Sequence, residues 1–481
     1  MDTLLLASAT ELARRIRAGE LRASDVVAAH LDHARRVNPA LNAIVNPLYE
    51  QAAAQAEAVA PKARDAKARP FLGVPCTIKE NFAFAGMPQA SGLVSRQGLR
   101  SEVDAPTVAR IKASGAIPIG TTNTSELCMW MESNNRVYGR SNNPYNPRHI
   151  VGGSSGGEGA IIGSGASAFG LGADVGGSIR MPAFFNGVFG HKPSPGLVPN
   201  DGQVPLPTGD IDRYCVTGPL ARRAEDLEPL LRLLAGDAAT GLPPIDAVDL
   251  GRLRLLSIPG NGRHRVHPEL RDAQQEAFDA LAGEFASARR LRLPALKYSF
   301  EVWSARMKMA GGESFAEQLA NGAPLSLPAE LGRWSVRRSP HTLPALALAA
   351  VEKLPLPHGR NLARGEALQA AMDDLLGDDG VLLYPSYSVP APRHYTPMLR
   401  TFHWSYCGVL NVLEMPATQV PLGLSQRGLP LGLQVAARRG NDHLCLAVAR
   451  RLEQLFGGWR PPPRLQAAAG SGARKGVAAA R

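Results

Sequence analysis

Two serine clusters sit among glycines in the first half of the chain. One is Gly152-Gly153-Ser154-Ser155-Gly156-Gly157-Glu158, and the other is Asp174-Val175-Gly176-Gly177-Ser178-Ile179-Arg180. Upstream, Gly73-Val74-Pro75-Cys76-Thr77-Ile78-Lys79-Glu80-Asn81 ends an apolar run on a lysine. A glycine-rich turn that presents a serine lets a carbonyl approach the backbone closely. It also turns successive amide N–H groups toward one point, where they stabilise an oxyanion. On this reading Ser178 attacks the carbonyl, and the N–H groups of Val175, Gly176, Gly177 and Ser178 hold the developing charge. The expected chemistry is hydrolysis of acyl C–N bonds by a serine that a lysine activates through a second serine.

The nucleophile needs a base. Among eleven histidines only His149 and His191 lie near the serines in sequence, and His149 falls in what reads as a surface turn. A distant histidine stays open as an alternative. A lysine serves when it is neutral, a state favoured by burial or by a cationic neighbour. Lys79 closes the apolar stretch 72–78, which places it at the C-terminal edge of a buried strand. Taken singly, a serine among glycines is a turn residue and a strand-edge lysine is solvated. The two clusters with the upstream lysine reverse that ranking as a set.

The elements that must position these residues alternate. Two amphipathic helices are predicted over 8–17 and 24–36, the second capped by Ser24 and burying Val26, Val27, His30, Leu31 and Ala34, both outside the main sheet. A helix over 52–68 precedes a strand over 71–78, and a helix over 105–114 precedes a strand over 116–120. Later come strands at 253–258, 380–384 and 432–436, with helices at 268–285, 366–376 and 443–456. This alternation predicts an α/β layered fold around a largely parallel or mixed sheet. The segment 303–364, broken by Gly311, Gly312, Pro324, Pro328 and Pro340, reads as a helical cap over the pocket. Residues 1–460, this cap included, read as a single domain, and 461–481 reads as a disordered tail.

Composition excludes several classes. The net charge of +11 is spread over segments such as Arg14, Arg15 and Arg17 or Arg450 and Arg451, and aromatic content is 6%, which fits a solvated surface and no nucleic-acid partner. The five cysteines, Cys76, Cys128, Cys215, Cys407 and Cys445, include no C-x-x-C pair, so no metal is expected and a reduced cytoplasm fits. The N-terminus lacks the flank and core of a secretion signal, and no apolar run approaches the roughly 18 residues of a membrane span. Gly163-Ser164-Gly165-Ala166-Ser167-Ala168 fits the dinucleotide fingerprint only superficially, because no strand is predicted before it and the expected acid about 20 residues on is missing. No cofactor is expected.

Four stretches resemble the amidase signature family. They are Thr122-Asn123-Thr124-Ser125-Glu126-Leu127-Cys128-Met129-Trp130, Tyr138-Gly139-Arg140-Ser141-Asn142-Asn143-Pro144-Tyr145, the run from Gly152 to Glu158, and Asp174 through Gly190-His191-Lys192-Pro193-Ser194-Pro195-Gly196. The resemblance implies a large mixed, mostly parallel, twisted sheet sandwiched by helices. It makes Lys79 the base, Ser154 the bridging serine with a cis peptide before it, and Ser178 the nucleophile. Ser155, Asp174 and Arg180 match positions that hold the loop, and Cys128, Met129 and Trp130 match a stretch lining the acyl channel, though such a trio is equally a core element. The implied activity is cofactor-free amide hydrolysis of small-molecule substrates by a monomer or homodimer, with hydrophobic acyl amides or arylamides as substrates. Carbamate (urethane) hydrolysis by the same triad is one alternative, and a subunit of the tRNA-dependent amidotransferase is another. Residues selecting the acyl group are expected from 303–364 and from the loops around Pro385 and Trp404.

Overall fold

The apolar run that closes on Lys79 becomes a strand buried at every position, and ten further strands join it in one sheet. In the computed structural model, which describes residues 2–60, 68–352 and 358–465, the strands are β1 (Ile44–Pro47), β2 (Pro75–Lys79), β3 (Ile117–Thr122), β4 (Asn134–Asn135), β5 (Gly139–Arg140), β6 (Phe169–Asp174), β7 (Phe189–Lys192), β8 (Val216–Ala221), β9 (Arg254–Ser257), β10 (Ser287–Arg290), β11 (Gly380–Tyr384), β12 (Ala417–Leu424) and β13 (Pro430–Ala437). The large sheet runs β1-β3-β2-β6-β8-β7-β12-β13-β11-β9-β10, while β4 and β5 pair separately. Parallel pairings lie in its two flanks, β3-β2-β6 and β11-β9-β10, and antiparallel ladders link β6 through β11 and add β1. This is the expected mixed sheet flanked by helices.

The N-terminal helices span Ala9–Ala18 and Ala23–Leu41. Ser8 caps the first, accepting from the Glu11 N–H, but Ser24 does not cap the second, which begins one residue earlier without a side-chain cap. All five residues of its predicted apolar face are buried. The helix expected over 52–68 is Tyr49–Glu57, and 61–67 lie outside the described residues. Phe71 and Val74 are buried, but the ladder starts only at Pro75, after a turn in which Gly73 adopts φ +74°.

Two large apolar cores pack around the sheet. The larger joins Ile78, Phe169, Leu171, Phe184 and Phe189 to the first helix, and the second joins Ile117, Ile119, Ile161 and Ile162 to Val27 and Leu31. The segment expected as a cap holds helices at Ser299–Met309, Phe315–Ala320, Leu327–Ser335 and Leu343–Val351, followed by His358–Leu376. Phe315, Leu319, Leu346 and Ala349 share a small core with Leu93 and Leu127. Most of the predicted tail, 466–481, lies outside the described residues, whereas Leu465 packs on the second core.

Candidate active site

Strand β2 ends on Lys79, in parallel register with Thr122 of β3. The Lys79 Nζ donates to the Ser154 Oγ at 2.7 Å, and neither residue is more than 1% exposed. The peptide between Gly153 and Ser154 is cis, as the resemblance implies. The turn is held by Ser133, whose hydroxyl donates to the Gly152 and Ser154 carbonyls at 3.1 and 3.0 Å and accepts from the Gly156 N–H at 2.9 Å. Glycine is required along it: a Cβ on Gly153 would strike the Trp130 carbonyl, and one on Gly156 would strike Ser133.

The second cluster leaves β6 as a loop and enters the helix Arg180–Phe185. The Ser155 N–H donates to the Ser178 carbonyl at 3.1 Å, which seats the two clusters side by side. Ser178 is 7% exposed, more than Lys79 or Ser154, and its hydroxyl has no hydrogen-bond partner among the described residues. Asp174 braces the loop from within, accepting from the Gly177 N–H at 2.6 Å and the Ile179 N–H at 3.0 Å. Arg180 closes a buried ion pair on it at 3.0 Å, and this guanidinium holds the Asp174 carboxyl well below the usual range against the opposing cost of burial. Of the four predicted oxyanion donors, Gly177 is therefore committed to Asp174. The Val175, Gly176 and Ser178 N–H groups have no partner among the described residues.

A family model described as Amidase matches residues 25–446. The chain belongs to the amidase family. It is 46% identical to fatty-acid amide hydrolase 2-A of Danio rerio and 44% identical to fatty-acid amide hydrolase 2 of Homo sapiens, in both cases over 96% of this chain and 91% of the relative. Its fold superposes on 6-aminohexanoate cyclic dimer hydrolase with a TM-score of 0.80, at 24% identity over 96% of this chain and 99% of the other. The protein is an amide-hydrolysing enzyme, and among its described residues no helix is long and apolar enough to cross a membrane.

In this amidase neither nearby histidine serves the serines. His149 bonds the Ala391 carbonyl, and buried His191 bridges Thr418 at 2.8 Å and Asp442 at 3.1 Å. Glu158 is wholly buried, and its carboxyl accepts from Thr77 at 2.6 Å and Thr122 at 2.8 Å on the two strands beside Lys79. Burial pushes it up to about 8. Cys128, Met129 and Trp130 are half-buried; Cys128 takes φ +60°, Met129 packs on the helical segment's small core, and Trp130 packs on the main core. Ser155 donates to the Ala173 carbonyl at 3.3 Å at the end of β6.

Sequence reasoning missed three supports. Ser133 is one. Asn411 donates to both the carbonyl and carboxylate of Asp174 at 3.0 and 2.9 Å and accepts from Arg180 at 2.6 Å. Gln434 accepts from Arg180 at 2.8 Å. Asn411 and Gln434 lie more than 200 positions from the loop they brace, and no local pattern marks them.

Proposed function

We propose that the chain hydrolyses amides with hydrophobic acyl or aryl groups through an acyl-enzyme on Ser178, with Lys79 as base and Ser154 as the proton bridge. The observation that carries the reading is the buried 2.7 Å contact from Lys79 to Ser154, beside a loop that presents the unpartnered Ser178 hydroxyl. Lys79, as the free amine, takes the Ser154 proton while Ser154 takes that of Ser178, and Ser178 attacks the carbonyl carbon. The Gly176 and Ser178 N–H groups receive the oxyanion. Collapse of the tetrahedral adduct breaks the C–N bond, and the proton returns through Ser154 to the departing nitrogen. Water then releases the acid by the reverse path.

The acyl preference is supported by the relatives named as fatty-acid amide hydrolases at 44–46% identity. The test is kcat/KM on p-nitroanilides of acetic, butyric, hexanoic and decanoic acids beside a matched aryl carbamate, for wild type and Ser178→Ala. Rates are expected to rise with chain length in wild type and vanish in the variant. A flat series with substantial carbamate turnover would reassign the enzyme as a broad amidase and urethanase, and turnover surviving in Ser178→Ala would remove the mechanism.

A further inference from the structure

The helix Ser299–Met309 reaches the nucleophile loop directly. Its Trp303 donates the indole Nε1–H to the Val175 carbonyl at 2.9 Å. Trp303 meets Trp404 edge-on at 4.6 Å between ring centroids, and Phe300 on the same helix packs on Phe402 at 4.3 Å. Both indoles lie on Gly176: a Cβ there would stand 3.2 Å from Trp404 and 3.9 Å from Trp303. Gly408 lets them in, because a Cβ on it would meet the Trp404 ring at 2.5 Å and Trp303 at 3.3 Å.

The consequence follows from peptide planarity. The Val175 carbonyl and the Gly176 N–H belong to one trans peptide unit and point in opposite directions, so fixing the oxygen fixes the N–H. Asp174 aims the Gly177 and Ile179 amides but makes no bond to this unit. We propose that Trp303 is a positioning residue for the oxyanion hole, holding the Val175–Gly176 peptide so that the Gly176 N–H faces the substrate oxygen. This ties the loop that does the chemistry to the helical segment. The inference rests on Ser178 being the nucleophile.

The test compares wild type, Trp303→Phe and Ser178→Ala with a p-nitroanilide and with a trifluoromethyl ketone bearing the same acyl chain, whose ketone form, freed from its hydrate by loss of water, takes up the serine oxygen to give a tetrahedral oxyanion. Trp303→Phe keeps an aromatic ring of smaller size and removes the donor. Since deleting an oxyanion donor outright costs about 10²- to 10³-fold, loosening one is expected to lower kcat and weaken the ketone's Ki about ten-fold, with KM within about two-fold. Ki and KM are both read on folded enzyme, so partial unfolding leaves their divergence intact. Ki and KM that stay at wild-type values, or that move together, overturn the role of Trp303. Turnover in Ser178→Ala instead overturns the reading beneath it. If Trp303→Phe does not accumulate, the indole N–H of wild type is followed by NMR. A proton protected from exchange in the ketone adduct supports the clamp, and one exchanging freely contradicts it.

Discussion

Lys79 differs from an ordinary strand-edge lysine in having a single hydrogen-bond partner among the described residues, and that partner is a serine hydroxyl. Among the described residues no carboxylate lies within ion-pair distance of it, although the Lys79 charge acts on buried Glu158. Replacing it with methionine keeps the length and removes the base, and a loss of about 10²- to 10⁴-fold in kcat is expected, with KM little changed. Glu158 gives a separate prediction about stability. Its carboxyl is raised to about 8 in the fold from an ordinary value of 4.5, so the folded state holds a proton that the unfolded chain gives up. That contribution is fully present below the ordinary value and is lost as pH rises through about 8. Thermal midpoints measured from pH 5 to 9 should therefore fall less steeply in Glu158→Gln than in wild type, and equal slopes would show that Glu158 does not titrate in this range. At this scale glycine context and spacing single out Lys79, Ser154 and Ser178 in the sequence, and the structure brings the first two into contact. Glu158 is not singled out, because an acid opening a helix has a sufficient reading at the helix N-terminus, and only the packing of Thr77 and Thr122 around it reveals burial.

Among elements, β6 was the least legible and matters most. Phe169-Gly170-Leu171-Gly172-Ala173-Asp174 carries glycines at positions where a strand ordinarily has side chains, which makes it read as a small-residue linker. The structure gives the cause. A Cβ on Gly170 would land on the Glu158 carboxylate, and one on Gly172 would stand 2.8 Å from Leu220 and 3.0 Å from the Ser155 hydroxyl. The helix carrying Glu158 thus lies against the strand that delivers the Ser178 loop. Gly170→Ala is expected to destabilise by about 1–3 kcal/mol through overpacking, read from urea midpoints. By contrast, β11 spans Gly380–Tyr384 as the apolar run and its boundaries indicate, because a continuous buried strand leaves a continuous apolar signature. The Asp174–Arg180 pair joins the last residue of β6 to the start of the following helix, fully buried. Asp174→Ala strands the guanidinium and is expected to cost about 3–5 kcal/mol, with unfolding in urea as the readout.

Over the whole molecule, the site is assembled from both halves of the chain. Strand β2 supplies the lysine, the turn before the helix Gly156–Gly163 supplies Ser154 and the loop after β6 supplies Ser178, while Asn411, on the helix Ser405–Val412, and Gln434, on β13, reach back to Arg180. Helix and strand alternation predicted the layered architecture, but strand order and these long-range braces arise only on folding and leave no local trace. Lys79, Ser154 and Ser178 all come from one chain, so the purified protein is expected to turn over simple amides without ATP or tRNA. A requirement for either would support the amidotransferase-subunit alternative. The central claim is that Ser178 carries the acyl group. The most direct measurement is peptide mapping by mass spectrometry after rapid acid quench of enzyme turning over a decanoyl ester or anilide. The account predicts the decanoyl mass on the peptide containing Ser178, slower to appear in Lys79→Met and absent in Ser178→Ala; an acyl mass on another residue, or one that persists without Ser178, would contradict it.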